Sequence, residues 1–147
     1  MYIITRKHFE TIVKHCQEAY PSEAGGFLGG RDNLILGIYP VFNLAFLHFS
    51  EKEEFALADG EIIKVHSYFE KHNMKVMGFY HSHPSASFPI PSEKDIMTHK
   101  LKHLKGMMIV SLYDLKNTIM AIYNIEGNTP VEQDIKIIED NEVNKYL

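Results

Sequence analysis

The spacing of apolar and polar residues predicts two helices along the chain, and a helix-start signal predicts a third. Apolar side chains recur every three or four residues over 6–20, after a potential N-cap at Thr5, and this spacing predicts an amphipathic helix that Pro21 ends. A second stripe over 59–72 predicts another core-facing helix. Ser92 opens a third helix that is expected to run to about residue 104.

Strand-like segments fill most of the remaining chain: Gly25–Gly30, Leu34–Phe42, Lys75–His83, Met107–Tyr113, Thr118–Ile125 and Val131–Ile138. The third of these is apolar on both faces, which is typical of a central strand. Strict alternation would place Met77 and Phe79 on one face of this strand, and Val76 and Tyr80 on the other.

No repeat, linker or low-complexity tract divides the chain. Residues 1–147 are therefore expected to form a single α/β domain, in which helices flank a central mixed, mostly antiparallel sheet. The segment 44–56 is ambiguous, because a strand-like stretch precedes the acidic residues Glu51, Glu53 and Glu54. Its latter part is interpreted as an exposed loop.

Composition and charge narrow the functions that need to be considered. The 147 residues are 45% hydrophobic and 23% charged, and 15 Lys and Arg stand against 19 Asp and Glu, a formal net charge of -4. This balance predicts neither a nucleic-acid partner nor an anionic membrane partner. Signal-peptide character is absent, and no apolar run approaches the roughly 18 residues of a spanning helix, so a cytoplasmic location is expected.

The chain has nine histidines but one cysteine. Cys16 has no second cysteine to pair with, which excludes a disulfide scaffold and a thiolate zinc site, and it is expected to be a small buried hydrophobe. The abundance of histidine directs attention to metal sites built from nitrogen and oxygen ligands.

The most specific stretch is His81-Ser82-His83-Pro84, followed after seven residues by Ser92-x-x-Asp95. Because side chains alternate along a strand, His81 and His83 share one face where Pro84 ends the strand. Asp95 lies in the first turn of the third helix, so its carboxylate can close the site from the other side. Two imidazoles and one carboxylate suit a zinc ion whose fourth position is left for water.

Parts of the remaining pattern have simpler interpretations. Ser92 and Asp95 also fit a helix N-cap with an acid at N3, and such a cap would orient the ligand as well. His99 and His103 stand four apart but lack the Glu of a His-Glu-x-x-His site, so they are interpreted as surface histidines. The glycine-rich run 25–30 matches no nucleotide-binding pattern and is expected to permit close backbone packing.

With Glu23 in a Pro-x-Glu-x-x-Gly-x-Leu-x-Gly context, this pattern resembles the JAMM motif of the MPN+ (JAB) metalloprotease family. The resemblance spans about residues 1–125 and implies an α/β fold similar to that of cytidine deaminases. It also implies a zinc metalloprotease that hydrolyses peptide or isopeptide bonds. Its protein or peptide substrate would commonly be cut after the C-terminal glycine of ubiquitin, or of a ubiquitin-like or sulfur-carrier protein.

The resemblance further implies a role for each site residue. His81, His83 and Asp95 would bind one zinc ion per chain, Glu23 would act as general base and then general acid, and Ser92 would donate a hydrogen bond to the oxyanion. A zinc nucleobase deaminase is excluded, because it needs a Pro-Cys-x-x-Cys that one cysteine cannot supply. A non-catalytic MPN scaffold is the alternative, although such relatives usually lose the ligands that this chain keeps.

Overall fold

Eight strands form one sheet in the computed structural model, which describes residues 1–43 and 60–147. The interpretation of segment 44–56 as part strand and part loop lies outside the described residues. In chain order the strands are β1 (Tyr2–Thr5), β2 (Gly25–Arg31), β3 (Leu34–Val41), β4 (Lys75–His83), β5 (Gly106–Ser111), β6 (Ile119–Glu126), β7 (Thr129–Gln133) and β8 (Ile135–Ile138).

The helices of the described part are α1 (Arg6–Ala19), α2 (Glu61–Lys71), α3 (Glu93–Lys102) and a C-terminal 3₁₀ helix (Asp140–Lys145). All three α-helices lie where the sequence predicts them. Thr5 caps α1 as expected, since its hydroxyl accepts the backbone N–H of His8 at 3.2 Å. None of the helices described is both long enough and apolar enough to cross a membrane.

The sheet is mixed and mostly antiparallel, as the sequence predicts. Its strand order is β7-β6-β5-β4-β2-β3-β1-β8. The parallel pairs are β1 with β3, β1 with β8, and β4 with β5, and the other neighbours run antiparallel. The crossover between parallel strands β4 and β5 contains α3, the connection that a parallel pair requires.

Two features at the edge of the sheet differ from the sequence prediction. Tyr2–Thr5 forms a strand that the sequence analysis misses, because all four residues are buried between β3 and β8 and show no alternation. The predicted strand Val131–Ile138 is two strands, β7 and β8, at opposite edges of the sheet. The break falls at Asp134, whose carbonyl accepts the N–H of Tyr2 at 2.8 Å.

Helices cover both faces of the sheet. On one face, Ile12 and Cys16 of α1 pack with Leu28 and Tyr80, and Cys16 is a buried residue of this cluster as predicted. On the other face, α2 packs Val65 and Phe69 against Phe27 and Phe79, while Ile96 of α3 packs against Met107 and Ile109.

A β-bulge in β4 changes which residues share a face. Leu28 of β2 is opposite Gly78, but the next residue, Gly29, is opposite Val76, so Met77 is the extra residue of β4. Met77 therefore packs in the same cluster as Tyr80 on the α1 face, and Val76 packs in the cluster of Phe79. The prediction from strict alternation is wrong for this pair, because the bulge shifts the alternation by one residue.

The glycine-rich strand β2 allows close packing, as the sequence predicts. A Cβ at Gly26 would lie 2.5 Å from the ring of Tyr80, and one at Gly29 would lie 2.4 Å from the ring of Phe69. Both rings therefore pack directly on the backbone of β2. The contact at Gly26 lies near the start of β2, which pairs with the end of β4, where the predicted site residues lie.

Candidate metal centre

His81 and His83 lie at the C-terminal end of β4, on the face of the sheet that α2 and α3 cover. Their partners across the parallel β4–β5 pair are Ile109 and Ser111. Paired residues share a face, so the histidines lie on the side where Ile109 packs against α3. His81 is only 6% exposed and His83 is half-buried.

Asp95 is held by a capping box at the start of α3. The Ser92 hydroxyl accepts the backbone N–H of Asp95 at 3.1 Å, and Asp95 Oδ2 accepts the backbone N–H of Ser92 at 2.9 Å. The capping interpretation is therefore confirmed, and it is compatible with the site interpretation. The reciprocal bonds orient the carboxylate toward the end of β4.

The three predicted ligands converge, and their spacing suits zinc. His81 Nε2 lies 3.1 Å from His83 Nε2, His83 Nε2 lies 3.0 Å from Asp95 Oδ2, and His81 Nε2 lies 3.2 Å from Asp95 Oδ1. Ligand atoms around a tetrahedral zinc ion lie about 3.3 Å from one another, given Zn–N and Zn–O distances of about 2.0 to 2.2 Å. Two nitrogens and an oxygen at these separations could hold zinc with little rearrangement.

The surroundings of Asp95 keep its carboxyl group ionised. Burial acts to raise the pKa of Asp95, but hydrogen bonds with His81 and His83, the charge on His81, and the Ser92 N–H outweigh it. The pKa of Asp95 therefore lies well below its usual range. A carboxylate must be deprotonated to bind a metal, so this electrostatic environment favours a ligand role.

Glu23 lies two residues before the start of β2, which pairs with the end of β4. Gly25, two residues along the chain, is the partner of His81 in the β2–β4 pair. Ala24, the residue before β2, forms two hydrogen bonds with Ser82 of β4. Ser82 N donates to Ala24 O at 3.0 Å, and Ala24 N donates to Ser82 Oγ at 2.9 Å. The Glu23 carbonyl accepts Asn43 Nδ2 at 2.9 Å, and the residue is 5% exposed. The fold thus brings the backbone of Glu23, from a distant part of the sequence, close to the strand end that carries both histidines.

Ser92 lies at the N-cap of α3 and is exposed. Its hydroxyl oxygen accepts the Asp95 N–H, which leaves its O–H able to donate a hydrogen bond. The hydroxyl is therefore bound to the backbone of the carboxylate ligand, three residues away along the helix.

The structure corrects the interpretation of His99 as a surface residue. His99 is buried, and its Nε2 lies 3.0 Å from the carbonyl oxygen of Leu104. The physical reason is that His103 adopts a left-handed conformation with φ of 55°, which ends α3 and folds Leu104 back toward the helix. His103 itself is exposed, as predicted.

Three polar residues near the site are missed by sequence reasoning. Ser82 lies between the two histidines on the opposite face of β4, and is fully buried. Ser111 donates a hydrogen bond to the carbonyl of Ala86, and the Tyr123 hydroxyl donates to the carbonyl of Pro89 at 2.7 Å. A signal for Ser111 does exist in the sequence, because it is a polar residue at the end of an otherwise apolar strand.

The chain matches the family described as prokaryotic homologs of the JAB domain over residues 5–125. It belongs to this family. The match confirms the resemblance seen in the sequence, and the matched part of this JAB domain contains all five predicted site residues: Glu23, His81, His83, Ser92 and Asp95.

Similarity to individual proteins supports this placement. The JAB domain is 29% identical to a desampylase of Pyrococcus furiosus over 94 residues, which are 64% of each chain. A solution structure of a Desulfitobacterium hafniense protein is 26% identical, with a TM-score of 0.80 over 95% of this chain and 94% of the other. A JAMM structure described as a metalloprotease-like zinc site in the proteasome and signalosome shares the fold, with 22% identity, a TM-score of 0.60, and coverage of 95% and 99%.

Proposed function

We propose that this JAB domain is a zinc-dependent hydrolase that cleaves a peptide or isopeptide bond at the C-terminus of a ubiquitin-like or sulfur-carrier protein. The observation that carries the proposal is the convergence of His81, His83 and Asp95, whose ligand atoms lie within 4.8 Å of one another. Membership of the JAB family supports hydrolysis. The similarity to desampylase supports a ubiquitin-like protein as the substrate.

The metal would be held by two imidazole nitrogens and one carboxylate oxygen. Zinc bound in this way supplies Lewis acidity that lowers the pKa of a water molecule to about 7. His81 and His83 bring their nitrogens from adjacent positions of one rigid strand face, and the capping box holds Asp95. Because these supports exist before the metal binds, little ordering is needed to form the site.

Glu23 is the residue proposed to move the proton. A buried carboxylate beside the strand end can take a proton from water and pass it to the leaving amine, which would otherwise depart as an unstable anion. The side chain has little exposure to solvent, so an interaction with a nearby proton donor is stronger than it would be at the surface.

Ser92 is the residue proposed to stabilise the oxyanion. Its O–H can donate to a carbonyl oxygen that gains negative charge as the bond is attacked. The hydroxyl is already fixed by its bond to the Asp95 N–H, so it need not reorganise when the charge develops. Ser92 and Asp95 therefore act from the same helical turn.

The first test measures zinc and activity in matched variants. Wild-type protein, Glu23→Gln and the control His66→Ala, a histidine exposed on α2, should each bind about one zinc per chain. His83→Ala and Asp95→Ala should lose the zinc, because each variant keeps only two of the three protein ligands that the site needs. Hydrolysis by Glu23→Gln should fall by about 10² to 10⁴-fold with its zinc retained.

The substrate is tested by intact mass spectrometry. Small β-grasp carrier proteins bearing C-terminal extensions, and the same proteins joined to a lysine side chain, would be incubated with the zinc-loaded JAB domain. Trimming after the terminal glycine by wild type but not by Glu23→Gln supports the proposal. Zinc-loaded protein that cuts none of these substrates would contradict the substrate class. Wild-type protein that cannot be loaded with zinc would contradict the metal centre and favour a scaffold role.

A further inference from the structure

The metal ligands belong to two elements joined by a proline-rich connection. β4 ends at His83 and α3 begins at Glu93, and residues 84–91 between them include Pro84, Pro89 and Pro91. Proline has no backbone N–H, so this segment has few donors with which to join the sheet. Whatever fixes the path of 84–91 also fixes the separation of the histidines from Asp95.

Two side chains from the neighbouring strands hold this connection. Ser111 at the end of β5 donates to the carbonyl of Ala86, and Tyr123 of β6 donates to the carbonyl of Pro89. Both side chains are largely buried, with residue exposures of 2% and 8%. The connection is therefore bound at two points by donors that water cannot easily replace.

These two donors lie on the same face of the sheet as the metal ligands. Ser111 is the partner of His83 across the β4–β5 pair, and Tyr123 packs with Met107 and Ile109 on the face that α3 covers. The backbone N–H of Leu112 also donates to the carbonyl of His83 at 3.2 Å. The end of β5 thus contacts the chain both at a metal ligand and within the connection that follows it.

We propose that Ser111 and Tyr123 are positioning residues of the metal centre, which act through segment 84–91 to set the separation between the two histidines and Asp95. The inference rests on the proposed function only in requiring that these three residues bind a metal. A metal binds the arrangement in which all three donors converge, so its apparent dissociation constant rises as the population of that arrangement falls.

The test compares two tyrosine-to-phenylalanine variants that each lose one buried hydroxyl. Tyr123→Phe removes the bond to Pro89, whereas Tyr2→Phe removes a bond to Asn124 Oδ1 of 2.7 Å near Gly106, at the opposite end of β5 from Ser111. Zinc affinity would be measured by competition with a chromogenic chelator, and the geometry by the visible absorption of the cobalt-substituted protein. Unfolding by urea would report the stability of each variant.

Tyr123→Phe should bind zinc about tenfold more weakly and show an altered cobalt spectrum. Tyr2→Phe should keep the wild-type affinity and spectrum despite a similar loss of stability. Ser111→Ala should resemble Tyr123→Phe, and it decides the question if Tyr123→Phe does not fold.

Wild-type affinity and spectrum in Ser111→Ala and Tyr123→Phe would overturn the inference. So would an equal weakening in Tyr2→Phe, because the effect would then follow stability and not position. Wild-type protein that binds no zinc would remove this inference together with the proposed function. If the wild type binds zinc but hydrolyses nothing, only the proposed function fails. Zinc affinity and the cobalt spectrum would still report on the role of Ser111 and Tyr123.

Discussion

Ser82 and the two histidines that flank it lie on opposite faces of β4. His81 and His83 face α3, while Ser82 faces α1 and accepts the N–H of Ala24. The serine hydroxyl also bonds to the Cys16 thiol, whose pKa burial raises to about 12. Cys16 is therefore a protonated core residue and not a nucleophile, and the polar contact it makes supports the strand that carries the ligands.

Removing the Ser82 hydroxyl should impair proton transfer more than metal binding. Ser82→Ala leaves the buried N–H of Ala24 without its side-chain acceptor, so we expect a loss of about 1 to 3 kcal/mol in the free energy of unfolding. The residue next to Ala24 is Glu23, so kcat should fall while the zinc content stays near one per chain. Urea denaturation, metal analysis and kinetics check these outcomes. A Ser82→Ala variant with normal kcat, or one that binds zinc as weakly as Ser111→Ala is expected to, would contradict this assignment.

Among the elements, the start of α3 can be predicted from the sequence, because it is specified locally. Ser92 and Asp95 need only each other to form a capping box, so four residues of sequence suffice to place the helix start and the carboxylate. The end of the same helix was misjudged at His99. Its burial depends on the left-handed turn at His103 and on the path of the chain beyond it, which no local pattern specifies.

The two roles of Ser92 can be separated because glycine caps helices nearly as well as serine does. Ser92→Ala should lower the free energy of unfolding by about 1 kcal/mol, and Ser92→Gly by only a few tenths. Both lack the hydroxyl, so both should lower kcat by about 10² to 10³-fold if Ser92 binds the oxyanion. Denaturation midpoints and kinetics on a cleaved substrate distinguish the effects. Full activity in Ser92→Gly would exclude the oxyanion role and leave the cap.

Strand β4 shows where prediction from sequence ends. Its bounds, Lys75–His83, follow from a run that is apolar on both faces, and the structure has the same bounds. The bulge at Met77 could not be predicted, because it arises from pairing with β2 and not from β4 itself. Strand β1 was missed for the same reason, since its four residues are strand only by virtue of lying between β3 and β8.

At the scale of the whole molecule, the candidate centre combines residues that are close together in sequence with others that are far away in sequence. The three candidate ligands lie within 81–95, and their convergence could be predicted from spacing alone. Glu23 could be assigned to the site only by resemblance, because the position of its backbone beside the end of β4 depends on the register of β2 with β4. Ser111 and Tyr123 could not be predicted, since their role depends on which backbone carbonyls they reach.

Zinc should stabilise the whole fold, because the ligands converge only in the folded chain. At free zinc 100 times the dissociation constant, the free energy of unfolding should rise by about 2.7 kcal/mol. For a domain of this size that corresponds to a rise in Tm of roughly 5 to 10 °C, which a chelator should reverse. Thermal unfolding with zinc and with chelator provides the measurement. Asp95→Ala serves as the control, and a shift of equal size in that variant would show that zinc binds elsewhere.

The separate origin of Glu23 has an evolutionary consequence. Glu23 belongs to the segment that leads into β2, while the three candidate ligands belong to β4 and α3. A lineage could therefore replace Glu23 and still keep the metal ligands, the capping box of α3 and the hydrophobic core. Under the proposed function, one codon change would then turn the hydrolase into a metal-binding protein without catalytic activity. Active and inactive members of such a lineage would be expected to differ at position 23 before they differ in fold.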